Sequence, residues 1–237
     1  MLAHHPQTLT RNQILAALPR QQYSLLFSNL QPTHLPRSKL LYDLGDRISY
    51  FFFIMSGMVS LLATTEDGSS TEIGMVGSEG VIGIPAVLGV NKAPYQIEVQ
   101  IPGQAMKVRT DILINEFSRG GLLHDMILRY IHSLISQISQ SAACNRFHTI
   151  EQRLCRWLLI SHDRVKSDTL HLTHEVLSHM LGATRANVTT AAANLRRTGL
   201  IDYSRGSIQI ADRQGLEVAA CECYRLVTEM IGCFRAA

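Results

Sequence analysis

The segment from Thr173 to Ile210, THEVLSHMLGATRANVTTAAANLRRTGLIDYSRGSIQI, leaves this chain few folds to choose from. Thr173 can cap a short helix whose apolar positions Val176, Leu177, Met180 and Leu181 recur at helical spacing, and Gly182 supplies a tight exit. A second helix follows at once, with Thr184 as N-cap, a buried stripe of Val188, Ala191, Ala192 and Leu195, and Gly199 at its end. Two helices joined by so short a turn must cross steeply, which pushes the start of the second outward, as a major-groove reader requires. Leu200 to Tyr203 and Ser207 to Ile210 then alternate like two short strands, with Ser204, Arg205 and Gly206 as a hairpin tip. The pattern predicts a winged helix.

Its outward residues suit nucleic acid. Arg185 stands in the first turn of the second helix, where a guanidinium can place two hydrogen bonds on a guanine edge. Thr184, Asn187, Thr189 and Thr190 suit phosphates, adenine edges or thymine methyls, and Arg196 and Arg205 suit the phosphate backbone. Between 184 and 206 there are four arginines, Arg197 included, against the single acid Asp202. That local excess is an electrostatic footprint for double-stranded DNA.

Charge is unevenly divided along the rest of the chain. Of a formal net charge of +3, residues up to 118 hold 8 basic against 9 acidic groups and the remainder 14 against 10, so the basic balance belongs to the C-terminal half. No N-terminal stretch reads as a signal peptide and no apolar run is long enough for a membrane span, so a soluble cytoplasmic protein is expected. All five cysteines, Cys144, Cys155, Cys221, Cys223 and Cys233, lie in the C-terminal half, an odd number in a reducing compartment, which argues for free thiols.

Residues 11–30 read as short helices interrupted at Pro19. From about Leu35 to Val108, short apolar runs (Leu40 to Tyr42, Tyr50 to Met55, Val59 to Ala63, Glu72 to Val76, Ile97 to Ile101, Ala105 to Val108) alternate with turns at Asp43 to Asp46, Ser56-Gly57, Glu66 to Ser69 and Pro102-Gly103. That spacing predicts an antiparallel sandwich or jelly roll. A long helix follows from Leu122 to about Ser141, in which Leu123, Ile127, Tyr130, Leu134 and Ile138 recur at steps of four and three. This seam suits pairing with an identical helix in a homodimer; burial inside one monomer is the alternative. Thr149 and Gln152 then offer a capping box for a helix from Ile150 to about Ser161, with Leu154, Trp157 and Leu158 inward. The expected division is a barrel with leading helices over 1–118, a dimerisation helix over 119–147 and a DNA-binding domain over 148–237.

This order of parts resembles the Crp/Fnr family of bacterial transcription regulators over nearly the whole chain. The likeness rests on LYDLGDRISYFFFIMSGMVSL, where Gly45 and Gly57 match the family's barrel glycines, on TIEQRLCRWLL and on the winged-helix segment. It implies an α+β fold, with a cyclic-nucleotide-binding-like jelly roll, a long dimerisation helix and a C-terminal winged helix-turn-helix. It also implies a non-enzymatic homodimer that reads a two-fold symmetric DNA site, with RNA polymerase as a further partner. In well-known members the recognition helix carries an Arg-Glu pair and, four positions later, a second Arg. Here Arg185 matches the first, Ala186 replaces the Glu and Thr190 replaces the second Arg, so a different half-site is expected.

The resemblance places an effector pocket at Gly77, Ser78, Glu79 and Gly80, with Lys92 and Tyr95 downstream. Members that bind cyclic AMP use a Gly-Glu-Leu-Gly turn for the ribose and an Arg-Ser pair for the phosphate; here Glu79 is one place out of register and the arginine is missing from Asn91 to Gln96. Lys92 cannot reproduce the guanidinium fork, so cyclic AMP is not expected as a ligand and no cofactor is assigned. A cupin-like metal enzyme is excluded because no histidine lies between His34 and His124, and an Fnr-type iron-sulfur cluster because the first cysteine is Cys144. Cys221-Glu222-Cys223 with Cys233 could hold a metal or sense oxidants, but Cys-x-Cys on a helix points its thiols to different faces, so ordinary thiols and no metal are expected. His4-His5 is expected in a mobile terminus, and His171, His174 and His179 lack the i, i+4 spacing with a carboxylate partner that a zinc site would show. A thiol-based redox regulator and an effector-binding module acting through protein contacts are the alternative functions.

Overall fold

The computed structural model describes residues 11–235, which fall into two compact units. One holds the chain up to Leu61 together with Met75–Leu134; the other holds Leu62–Gly74 and Ile135–Gly232. The division therefore runs through the long helix, where the sequence places boundaries at its ends. His4 and His5 lie outside the described residues, as does the side chain of Cys233.

In chain order, α1 (Gln13–Ala17) and α2 (Arg20–Phe27) precede β1 (Gln31–Leu35), β2 (Leu40–Tyr42), β3 (Tyr50–Thr64), β4 (Ser70–Val76) and β5 (Val81–Ile82). A 3-10 turn at Ile84–Leu88 leads to β6 (Gln96–Arg109) and α3 (Thr110–Ser118). Six strands form one sheet in the order β1-β6-β3-β4, with β2 on β6 and β5 on β3. The pairing is antiparallel, as in β1 with β6, where Gln31 faces Lys107 and Leu35 faces Gly103.

Two expected turns are not turns. Ser56-Gly57 and Pro102-Gly103 lie inside the continuous strands β3 and β6. At Gly57 the backbone takes φ +81°, and a Cβ there would lie 2.5 Å from the Ile101 carbonyl oxygen. A Cβ on Gly103 would in turn collide with the Ser56 carbonyl. The glycines therefore let two long strands bend past each other, a job that resembles turn chemistry in sequence. Phe51, Phe53, Ile54 and Met58 of β3, with Leu35 and Leu113, anchor the core of this unit.

The long helix α4 runs over Leu122–Phe147, beyond its expected end. α5 (Ile150–Val165) starts at the expected capping box: Gln152 N–H donates to Thr149 Oγ1, and Thr149 N–H donates to Gln152 Oε1. Then follow β7 (Thr169–Leu170), α6 (His174–Leu181), α7 (Arg185–Arg197), β8 (Ile201–Ser204), β9 (Ser207–Ile210), α8 (Arg213–Ala219) and α9 (Cys223–Arg235). Trp157, fully buried as expected, donates its indole N–H to Glu72 Oε1 at 2.8 Å, which satisfies both a buried donor and a carboxylate on β4.

The expected seam of α4 is corrected. Leu123, Ile127, Tyr130 and Leu134 are buried within a single chain, and Ile138 is half-buried. Tyr130 packs directly on Gly80, where a Cβ would lie 2.5 Å from the ring Cζ. Leu128 and Ile135, one heptad apart, are instead the exposed large apolar residues along the helix body, at 43% and 58%. Spacing shows that a helix has a stripe; it does not say which of two apolar stripes its own domain covers.

Candidate nucleic-acid interface

Local rules build the winged helix as its sequence predicts. Thr173 Oγ1 accepts from Val176 N–H at 3.2 Å to cap α6, and Gly182 ends it at φ +53°. Thr184 Oγ1 accepts from Asn187 N–H at 3.3 Å and caps α7. Val188, Ala191, Ala192 and Leu195 are all buried, which fixes the rotation of α7 and leaves Thr184, Arg185, Ala186, Asn187, Thr189 and Thr190 exposed on one side. The expected three-residue tip is corrected to two: Ser204 ends β8 and pairs with Ser207, leaving Arg205-Gly206 at φ +48° and +78°, the pair of left-handed residues that a two-residue turn needs. The sequence missed β7, which pairs with β9 and makes the wing sheet three-stranded; two residues carry too little alternation to be read.

The side chains differ in how free they are. Arg185 is 72% exposed, with Nη1 3.7 Å from Glu175 Oε2, a loose pair that a phosphate or base can replace. Thr189 Oγ1 donates to the Arg185 carbonyl at 2.8 Å and lies 3.0 Å from His174 Nδ1; Thr190 Oγ1 donates to the Ala186 carbonyl at 3.1 Å. These two hydroxyls brace the helix as well as face outward. Arg196 pairs with Asp202 at 3.1 Å, which ties the end of α7 to the wing, and Arg205 projects from the exposed tip. His174 stacks on Tyr203 at 4.2 Å between centroids; burial first, and the charge of Arg185 second, hold its pKa below the ordinary 6.5. Thr184 and Asn187 also border a cleft of about 800 Å³ shared with Asp67, Gly68 and Thr71 of the β3–β4 hairpin.

The barrel turn is organised oppositely. Gly77 N–H donates to Glu79 Oε1 at 3.0 Å and Gly80 N–H to the Gly77 carbonyl at 3.0 Å. Outside the turn, Gln13 N–H donates to the Ser78 carbonyl at 2.8 Å, and Asn12 Nδ2 to the carbonyls of Gly80 (2.8 Å) and Ile54 (3.0 Å). Gly77, Glu79 and Gly80 are buried and Ser78 half-buried, under α1 and Tyr130. Lys92 is exposed and bridges Arg47 through the backbone, while Tyr95 is half-buried, with its hydroxyl pKa raised by burial.

Residues 152–219 match the Crp-like helix-turn-helix domain and residues 32–119 the cyclic nucleotide-binding domain. Together the two matches span most of the chain, in the order that the fold shows. The chain belongs to the Crp/Fnr family of transcription regulators. The regulator is 23% identical over 212 residues to the global nitrogen regulator of Nostoc sp., covering 85% of this chain and 94% of that protein. It is 21% identical over 217 residues to the CRP-like cAMP-activated global transcriptional regulator of Mycobacterium tuberculosis, covering 89% and 97%. In fold it resembles FixK2 from Bradyrhizobium japonicum, with a TM-score of 0.70 at 15% identity over 81% of this chain and 98% of that one. It is a DNA-binding transcription regulator of the Crp/Fnr type. Among the described residues no helix is long and apolar enough to cross a membrane.

One further group escaped the sequence. Cys221 precedes α9 rather than lying on it, so Cys221 and Cys223 are not two positions of one helix, and their thiols converge with Cys144 and His148. The expectation of divergent thiols is corrected by that loop geometry.

Proposed function

We propose that this regulator binds as a homodimer to a two-fold symmetric DNA site, each α7 entering a major groove, with half-sites about one helical turn (~34 Å) apart. The observation that carries the reading is the exposed start of α7, where Arg185, loosely paired and 72% exposed, extends beside Thr184 and Asn187. Arg185 is the base reader; Thr184, Asn187, Thr189 and Thr190 supplement it, and Arg196 and Arg205 meet phosphates. The exposed row of Leu128 and Ile135 on α4 supplies the apolar dimer contact, so Ile135→Asp should give monomers in sedimentation.

The barrel does not bind cyclic AMP with useful affinity. The polar groups of Gly77 to Gly80 already hold each other, α1 and Asn12, and no arginine stands in the stretch from Asn91 to Gln96. Micromolar or tighter binding in calorimetry overturns this. Any signal would act on an equilibrium of the DNA-binding elements. The β3–β4 hairpin is one lever, since Asp67 cannot comfortably share its cleft with a phosphate. The protein performs no catalysis, works beside the chromosome and engages RNA polymerase from the bound site.

The deciding experiment is selection of bound fragments from random DNA at near-physiological salt, with wild type and Arg185→Ala in parallel. A palindrome enriched by wild type alone supports dimer, site and reader together. Equal enrichment by both removes Arg185 as reader, and sequence-independent binding that vanishes with modest salt favours protein contacts instead.

A further inference from the structure

Three buried thiols and one imidazole meet where the end of α4, its connection to α5 and the entry to α9 come together. Cys144, Cys221 and Cys223 are buried to 4% exposure or less, and His148 is half-buried. Their donor atoms all lie within 4.8 Å of one another. We propose that Cys144, His148, Cys221 and Cys223 form a closed, four-coordinate site for Zn²⁺. The proposal stands independently of the DNA-binding reading.

Distance supports it first. Zinc bonds of ~2.3 Å to sulfur and ~2.0 Å to nitrogen in a tetrahedron put neighbouring ligand atoms roughly 3.5 to 3.8 Å apart. Cys144 Sγ is 3.6 Å from Cys221 Sγ, and Cys223 Sγ is 3.5 Å from His148 Nδ1. Small side-chain rotations close the remaining edges. Donor type supports it next, because soft sulfur with imidazole selects zinc over the oxygen-seeking Mg²⁺ and Ca²⁺. Four donors this close enclose a single ion, whereas an iron-sulfur core needs a wider cage and usually four thiolates.

The surroundings are those of a ligand shell. His148 turns Nδ1 toward the thiols while Nε2 lies 3.3 Å from Glu222 Oε2, the outer carboxylate that orients a metal-bound imidazole. Gln140 Nε2 donates to Cys223 Sγ at 3.0 Å, a hydrogen bond that favours the thiolate. Three thiolates and a neutral imidazole around Zn²⁺ carry a net charge of −1. Binding releases up to three thiol protons to solvent and leaves no position open for water, so the site is structural. It would staple α9 to the last turn of α4.

The test uses the full chain, expressed with zinc and purified under reducing conditions, with metal content measured by plasma mass spectrometry and Co²⁺ substituted as a spectroscopic probe. One zinc per chain is expected, with a tetrahedral cobalt spectrum showing thiolate charge transfer. Cys221→Ser and His148→Gln should lose the metal while circular dichroism reports a retained fold, and Cys155→Ser, a buried cysteine outside the cluster, should keep it. Chelation should lower the Tm of wild type but not of Cys221→Ser. A metal-free wild type, an octahedral cobalt spectrum, iron with sulfide, or full zinc retention by Cys221→Ser overturns the proposal. A Cys144–Cys221 disulfide forming without zinc uptake also overturns it, in favour of a redox pair.

Discussion

The turn before α7 and the turn between β4 and β5 are both short, glycine-bearing and polar, yet they face opposite ways. Around Gly182 and Thr184 the backbone is satisfied by caps of its own, and the side chains at the start of α7 are left exposed. Around Gly77 to Gly80 the turn is satisfied by its neighbours: Glu79 accepts from Gly77, Asn12 donates to Gly80 and Tyr130 lies against the Gly80 backbone. Polar groups are available to a solvent-borne ligand where the fold leaves them exposed and only loosely paired. By that criterion the winged helix is open for a ligand and the barrel turn is part of the protein's interior.

Removing the lid from the barrel turn is the strongest way to break this contrast. Tyr130→Ala deletes a ring that is 4% exposed and should cost about 3 to 5 kcal/mol, by analogy with other buried aromatic truncations, read from denaturant midpoints of the chain. If the variant instead unfolds at the wild-type midpoint but dissociates to monomers, Tyr130 belongs to the dimer seam after all. Next in size is Gly182→Ala. It forces an L side chain to φ +53° with Thr71 Oγ1 only 2.7 Å from the new Cβ, and should destabilise by about 1 to 2 kcal/mol. A neutral result would mean that the α6–α7 turn readily moves away from the β3–β4 hairpin.

Thr184→Ala should cost about 1 kcal/mol by loss of the α7 cap and should weaken DNA binding, while Thr184→Ser, which retains the cap, should preserve both. Equal stability of the three proteins in chemical denaturation would remove the cap from the account. The smallest effect is a pH dependence. His174 has a depressed folded pKa, so the unfolded chain takes up the proton more readily; the stability contributed by neutral His174 is present above pH 6.5 and is lost as pH falls through the lower folded value. Melting between neutral pH and about pH 5.5 should fall less steeply for His174→Gln than for wild type. An identical slope would place the titration elsewhere.

Short-range chemistry was legible. The caps at Thr173, Thr184 and Thr149 and the stripe Val188, Ala191, Ala192 and Leu195 depend on residues within a few positions of each other, and the sequence alone determined them. It also determined the order of the parts, because their periods differ. Tertiary structure decided what faces what. Gly57 and Gly103 are turn residues in sequence and strand crossings in space; Leu123 to Leu134 form a seam in sequence and a barrel contact in space, leaving Leu128 and Ile135 uncovered. Cys144 and His148 stand over 70 positions from Cys221 and Cys223, and only the packing of α9 against the end of α4 brings their donor atoms within 4.8 Å. No local pattern encodes such a meeting, since it depends on which surfaces the whole chain chooses to bury.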